Sequence, residues 1–354
     1  MKLLKTSMLA ILVLLIAVMA GCSSVKPPKE ALLSAMTKLQ TAKSMSFKGT
    51  FSLDDIVIPP TGSGTNAAMT DIFMKMLKGA IVDFHGAMQT EPMRAEVVMD
   101  LAFGTADMTI HLTVPVIITK DKVWLKVPQI PGAKLPDTLV GKFVEIDLNK
   151  IAAEQKNSVI LDGAATKKLG QDLLKTLSDP FDEKTYFSEP KAVDVKGLPE
   201  GYKGDQFIRF NMNKQNSDQA VTTIIDKAAP AIIDLLLKND AYMKALQLKK
   251  EELEAAKKEL ADKKDGKIQP AVEELKKSLD DLTFTGGIQD GYLTYQELQL
   301  NLDSKDAQNP QKLAVQFKIS YADLNKDVKF QYELPKDAVP VQQVQDILGL
   351  VSGS

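Results

Sequence analysis

Cysteine, histidine and net charge are all scarce here: the 354 residues include one cysteine and two histidines, and 44 basic side chains nearly balance 46 acidic ones. A lone thiol closes no intrachain disulfide, so an exported form of this chain must be stable from its core alone. His85 and His111 both fall on the polar parity of strand-like stretches, where side chains are solvated rather than metal-bound or catalytic. The charge balance lacks the basic footprint that nucleic acid requires, and it gives anionic headgroups nothing to attract. Neither a glycine-rich phosphate loop nor an HExxH helix occurs. Asp323-Leu324-Asn325-Lys326-Asp327 imitates the start of a calcium loop, but Val328 replaces the turn glycine and Leu334 the closing glutamate, so it reads as a hairpin turn. The expectation is a protein that is not an enzyme and has no cofactor, no metal and no catalytic residue; buried carboxylates are the one catalytic route left open.

Long apolar runs are also missing. The greasiest stretch, Met8 to Ala20, is shorter than the roughly 20 residues a spanning helix needs, and it follows Lys2 and Lys5 as a signal core does. Val18-Met19-Ala20-Gly21-Cys22 has the form of a lipobox, with Met19 where leucine is usual. Residues 1–21 are therefore expected to be a lipoprotein signal peptide and Cys22 the acceptor of a diacylglyceryl group, ordinary signal cleavage being the alternative. Residues 22–29, with Pro27 and Pro28, read as a tether. Two acyl chains hold stably where one binds reversibly, so the expected location is the outer face of the bacterial cytoplasmic membrane.

Past the tether, Glu30–Ser44 spaces Leu32, Leu33, Met36 and Leu39 as an amphipathic helix. Phe47 to Leu53 then alternates with period two, and Asp54-Asp55 breaks the alternation as a β-bulge does. After the flexible stretch at 59–66, Ala67–Leu77 places Met69, Phe73 and Met76 on one helical face, either a cap on the core or a lid over a ligand mouth. From Ile81 to Val127 sustained alternation predicts an antiparallel meander with one dry and one wet side. Asn149–Ser178 reads as mostly helical, Phe207–Met212 as a strand, and Asp218–Leu282 as an αα-hairpin projecting from the sheet, its middle nearly all charge. Three further strands are expected around Leu298–Leu302, Leu313–Tyr321 and Val328–Leu334.

With AKSMSFKGTFSL at 42–53, KDKVWLKVP at 120–128 and LPKDAVP at 334–340, the mature chain resembles the LolA/LolB-like and LppX/LprG-like bacterial lipoproteins, in particular their larger Gram-positive relatives. The resemblance implies an α+β fold over residues 30–350: a curved, antiparallel, incomplete β-barrel whose concave face is covered by helices. A hydrophobic cavity for acyl chains would lie between them. The 218–282 helical insertion departs from the smaller members. Fourteen methionines, soft and adaptable, suit such a pocket, although filling an irregular core is their commoner use. The pocket candidates are Phe51, Met69, Phe73, Met76, Phe84, Met88, Met99, Leu101, Met108, Ile110, Phe317 and Phe330. The expected partners are the membrane, through the lipidated Cys22, and a lipid or other hydrophobic ligand. The rival reading is a surface scaffold that works through its charged hairpin and holds no ligand.

Overall fold

The computed structural model describes residues 26–57, 74–105, 108–132, 135–154, 163–262, 269–304 and 311–347. Helix α1 (Pro28–Leu39) starts inside the expected tether, because Pro28 takes the first helical position, where no N–H is needed. Strands β1 (Ser44–Val57), β2 (Ala80–Thr90), β3 (Met93–Thr105), β4 (Met108–Thr119), β5 (Lys122–Lys126) and β6 (Phe143–Asp147) follow. Next come α2 (Leu148–Glu154), α3 (Gly163–Ser178), α4 (Glu183–Tyr186), β7 (Phe187–Ser188) and β8 (Gln206–Asn213). A helical run of α5 (Ser217–Thr223), a π turn (Ile224–Ala228), α6 (Ala229–Leu237), α7 (Asp240–Ala245), α8 (Lys250–Ala261) and α9 (Gln269–Ser278) leads into β9 (Leu279–Gln289). Strands β10 (Tyr292–Asp303), β11 (Lys312–Ala322) and β12 (Val339–Pro340) and helix α10 (Val341–Ile347) complete the described chain.

All twelve strands join one sheet in the order β12-β6-β5-β4-β3-β2-β1-β11-β10-β9-β8-β7, antiparallel except for the β12–β6 pair, and the sheet is not closed into a barrel. The register of β1 against β11 shifts between Leu53 and Asp55, which is the expected bulge. The extra residue returns Ile56, opposite Leu313, to the face that Leu53 occupies. Among the described residues no helix is long and apolar enough to cross a membrane.

The core is concentrated at the β8–β10 end. There α1 lays Leu32 and Leu39 against Ile208, Ile288 and Leu293, and Gly286 supplies the room: a Cβ on it would meet both Leu32 and Leu293. Beside it, the rings of Phe181, Tyr186 and Phe210 pack edge-to-face or stacked and join Val221 of α5 and Leu279 of β9. A third cluster, Leu169, Leu236, Tyr242 and Met243, ties α3, α6 and α7 together.

Two expected elements are corrected. The 218–282 block is no two-helix hairpin but a series of helices, with α8 docked on α6 through the Lys257–Asp234 ion pair and α9 lying against α5, β9 and β10. It is cut where Asn239 caps α7 through the N–H groups of Ala241 and Tyr242, and where Gln247 takes a positive φ of 54°. Residues 328–334 are no strand. They cross the sheet with a bend at 331–332, and the N–H groups of Gln331 and Tyr332 go to the two carboxylate oxygens of Glu96 instead of to a neighbouring strand, at 2.8 and 3.0 Å. The turn before them consequently closes no hairpin; it docks on β1, with Asn325 N–H donating to the Ser44 carbonyl at 2.8 Å.

Candidate ligand face

Strand pairing places one apolar residue from each of nine strands in a single row. Leu112, Leu101, Val82, Phe51, Phe317, Leu298, Phe284, Phe210 and Phe187 are consecutive cross-strand partners. Because directly opposed residues share a face, all nine side chains lie on one side of the sheet. The next row toward α1 is Val114, Met99, Phe84, Gly49, Ile319, Gln296, Gly286 and Ile208, and beyond it come Val116, Val97, Gly86, Phe47 and Tyr321. Phe84 and Phe47 stand opposite Gly49 and Gly86, and each ring lies over its glycine: a Cβ on Gly49 would collide with the Phe84 ring, and one on Gly86 with Phe47. Phe84 also stacks on Phe317 at 5.8 Å between centroids.

These three rows contain no ionisable carboxylate or ammonium. Their polar groups are Gln296 and Tyr321, bonded to each other at 3.4 Å, and burial pushes the Tyr321 hydroxyl above its ordinary pKa. The opposite face is polar directly behind the first row and apolar farther along, where Ala87, Val98, Ile117 and Trp124 are buried. One residue along, Thr113, Asp100, Asp83, Thr50, Lys318, Glu297, Thr285, Arg209 and Ser188 form the matching row.

The apolar face is unevenly covered. At the β8–β10 end its residues belong to the α1 and α4–α5–α9 clusters, whereas Phe51 and Leu298 are each 38 % exposed and Val82, Phe84, Met99, Leu101, Leu112 and Phe317 are half-buried. Toward the bulge the face opens into a cavity of about 390 Å³ beneath α9, walled by Ile56, Val57, Leu275, Leu302 and Leu313. Glu274, Ser278, Ser304 and Lys312 form its polar rim, where Ser304 donates to Glu274 at 2.5 Å. Just outside, Lys78 and Lys312 pair with Asp55 at 2.8 and 2.9 Å and hold its carboxyl below the ordinary value.

Of the residues singled out from sequence, Phe51, Phe84, Met99, Leu101 and Phe317 are brought together in the two central rows. Met88 shares the face but packs against the α1 cluster. Ile110 and Met108 lie on it at the β3–β4 end, where Met108 is exposed. Met76 is half-buried in a helical turn at 74–77. Cys22, Met69 and Phe73 lie outside the described residues. Phe330 is corrected: its segment crosses the opposite face, and its ring lies under the Arg94 guanidinium at 4.1 Å. Leu298, Phe284 and Val82 were missed, although the alternation at Leu298, Leu300 and Leu302 marked the strand. What was lacking was the register that sets residue 298 beside 317 and 317 beside 51. No protein-family model matches the chain, and no curated protein is significantly similar to it.

Proposed function

We propose that the chain is a lipoprotein, anchored through Cys22 at the outer face of the cytoplasmic membrane, that binds a lipid or other hydrophobic molecule on the apolar face of its sheet. In this reading the sheet is curved, α1, α5 and α9 cover one end of its concave side, and the β1–β4 and β11 portion together with the cavity under α9 receives the ligand. The observation that supports it is the uncharged face itself, nine strands wide and only half-buried at its centre, with a cavity of ligand size at one edge. Core residues gain most when fully removed from water, so a row of half-exposed phenylalanine and leucine is apolar surface left for another molecule.

The test is organic extraction of the mature chain purified without detergent, followed by mass spectrometry. A stoichiometric amphiphile is expected, and Leu298→Lys or Leu275→Lys should deplete it. Both side chains are more than a third exposed, so the variants should still fold. Empty extracts from folded protein, or equal lipid content in the variants, would defeat the reading.

A further inference from the structure

The opposite face carries a site of different chemistry. The loop at 189–204 folds onto the polar side of β8–β10, anchored by Val195 against Phe207 and Tyr295 and by the Tyr202 hydroxyl bonded to Thr294 at 2.7 Å. Between this loop and the sheet lies a cleft of about 510 Å³ in which every lining residue is polar. Glu297, almost fully buried, sits at its inner wall with its Oε1 taken by Gln299, Gln316 and Lys318, while its Oε2 has, among the described residues, the Tyr295 hydroxyl alone, at 3.4 Å. Arg209 makes two long bonds, to the Thr285 hydroxyl and the Asp194 carbonyl, each 3.3 Å, and has no carboxylate partner among the described residues. Lys196 and the Asp194 carboxylate, exposed at the rim, are likewise unpaired there.

We propose that this cleft binds a neutral polyhydroxylated ligand, a segment of oligosaccharide. The lining sets Arg209 and Lys196 against the carboxylates of Asp194, Asp281 and Glu297, and Lys318, outside the lining, already pairs with Glu297, so neither an anion nor a cation gains from the field. A phosphodiester, which only accepts hydrogen bonds, would meet the carboxylates, as would any other phosphate through its negative charge; an ammonium, which only donates, would meet Arg209 and Lys196. Hydroxyl groups donate and accept, and so satisfy both kinds of unpaired partner. A peptide also does both, but the wholly polar lining offers its side chains no apolar seat. The proposal stands independently of the lipid reading, because the site occupies the other side of the sheet.

Calorimetric titration of the whole chain with cellotetraose, maltotetraose and tetra-N-acetylchitotetraose tests it. At least one is expected to bind saturably, with affinity reduced about tenfold by Arg209→Gln, which removes a charged donor. Lys196→Ala, at an exposed rim position, is expected to weaken binding several-fold and carries the test should the Arg209 variant not fold. The proposal is overturned if none of the three binds at millimolar concentration, if tetragalacturonate or a tetrapeptide binds more tightly, or if folded variants keep full affinity.

Discussion

Glu96 is a carboxylate with almost no access to water, 2 % exposed, and its position is stable only because both oxygens are used. They accept the N–H groups of Gln331 and Tyr332, while Arg94 lies 3.7 Å away, donates to the Tyr332 carbonyl and covers the Phe330 ring. Glu96→Gln replaces one acceptor with a donor facing an N–H, and should cost about 2–3 kcal/mol in urea unfolding, the scale of a charged hydrogen bond. The same variant should expose Lys326, Lys329 and Lys336 to trypsin sooner. Asp55 makes a second residue-scale case. Lys78 and Lys312 donate to it and lower its pKa from 3.8, so its contribution is complete above the ordinary value and disappears as pH falls through the lowered one. The melting temperature of Asp55→Asn should therefore lie below that of the parent at pH 6, and the gap should close below about pH 4; a gap independent of pH would refute the assignment.

Among the elements, the helices between 217 and 278 show how an apolar and charged pattern can be read correctly as helix and wrongly as architecture. The apolar start and charged middle of this block read as the arms of an αα-hairpin, but Asn239 takes extended backbone and accepts from Ala241 and Tyr242, which starts a new helix and turns the chain. Asn-Asp at 239–240 was a visible capping signal that the charge pattern overshadowed. Asn239→Ala should lower stability by about 1 kcal/mol, measured by chemical denaturation. The segment at 328–334, bent at 331–332, failed as a strand for a related reason. Alternation of Val328, Phe330, Tyr332 and Leu334 reports extended backbone, and the partner of that backbone was a side chain, Glu96, from a residue more than 200 positions earlier.

At the scale of the whole molecule, the sheet separates two chemistries by its own thickness, an uncharged face on one side and a charged row directly behind it. Under the proposed anchoring, Cys22→Ser should shift the chain from the membrane fraction to the medium, because the variant could not carry the two acyl chains that stable retention requires; retention of the variant on membranes would count against the anchor. The face residues themselves were largely legible. Period-two alternation in Phe47–Leu53, Ile81–Val127 and Leu313–Tyr321 sorts each strand into a dry and a wet side from local geometry alone, and the Asp54-Asp55 bulge was visible as a break in it. Local pattern also marked the helical stretches. What it leaves undetermined is which strands are neighbours and in what register, because pairing Phe51 with Phe317 and Arg209 with Thr285 depends on backbone hydrogen bonds between segments that the chain itself keeps far apart. Those pairings turn scattered phenylalanines into a continuous face and bring Glu297 and Arg209 into one cleft, while the Glu96 carboxylate takes residues 328–334 across the sheet instead of into it.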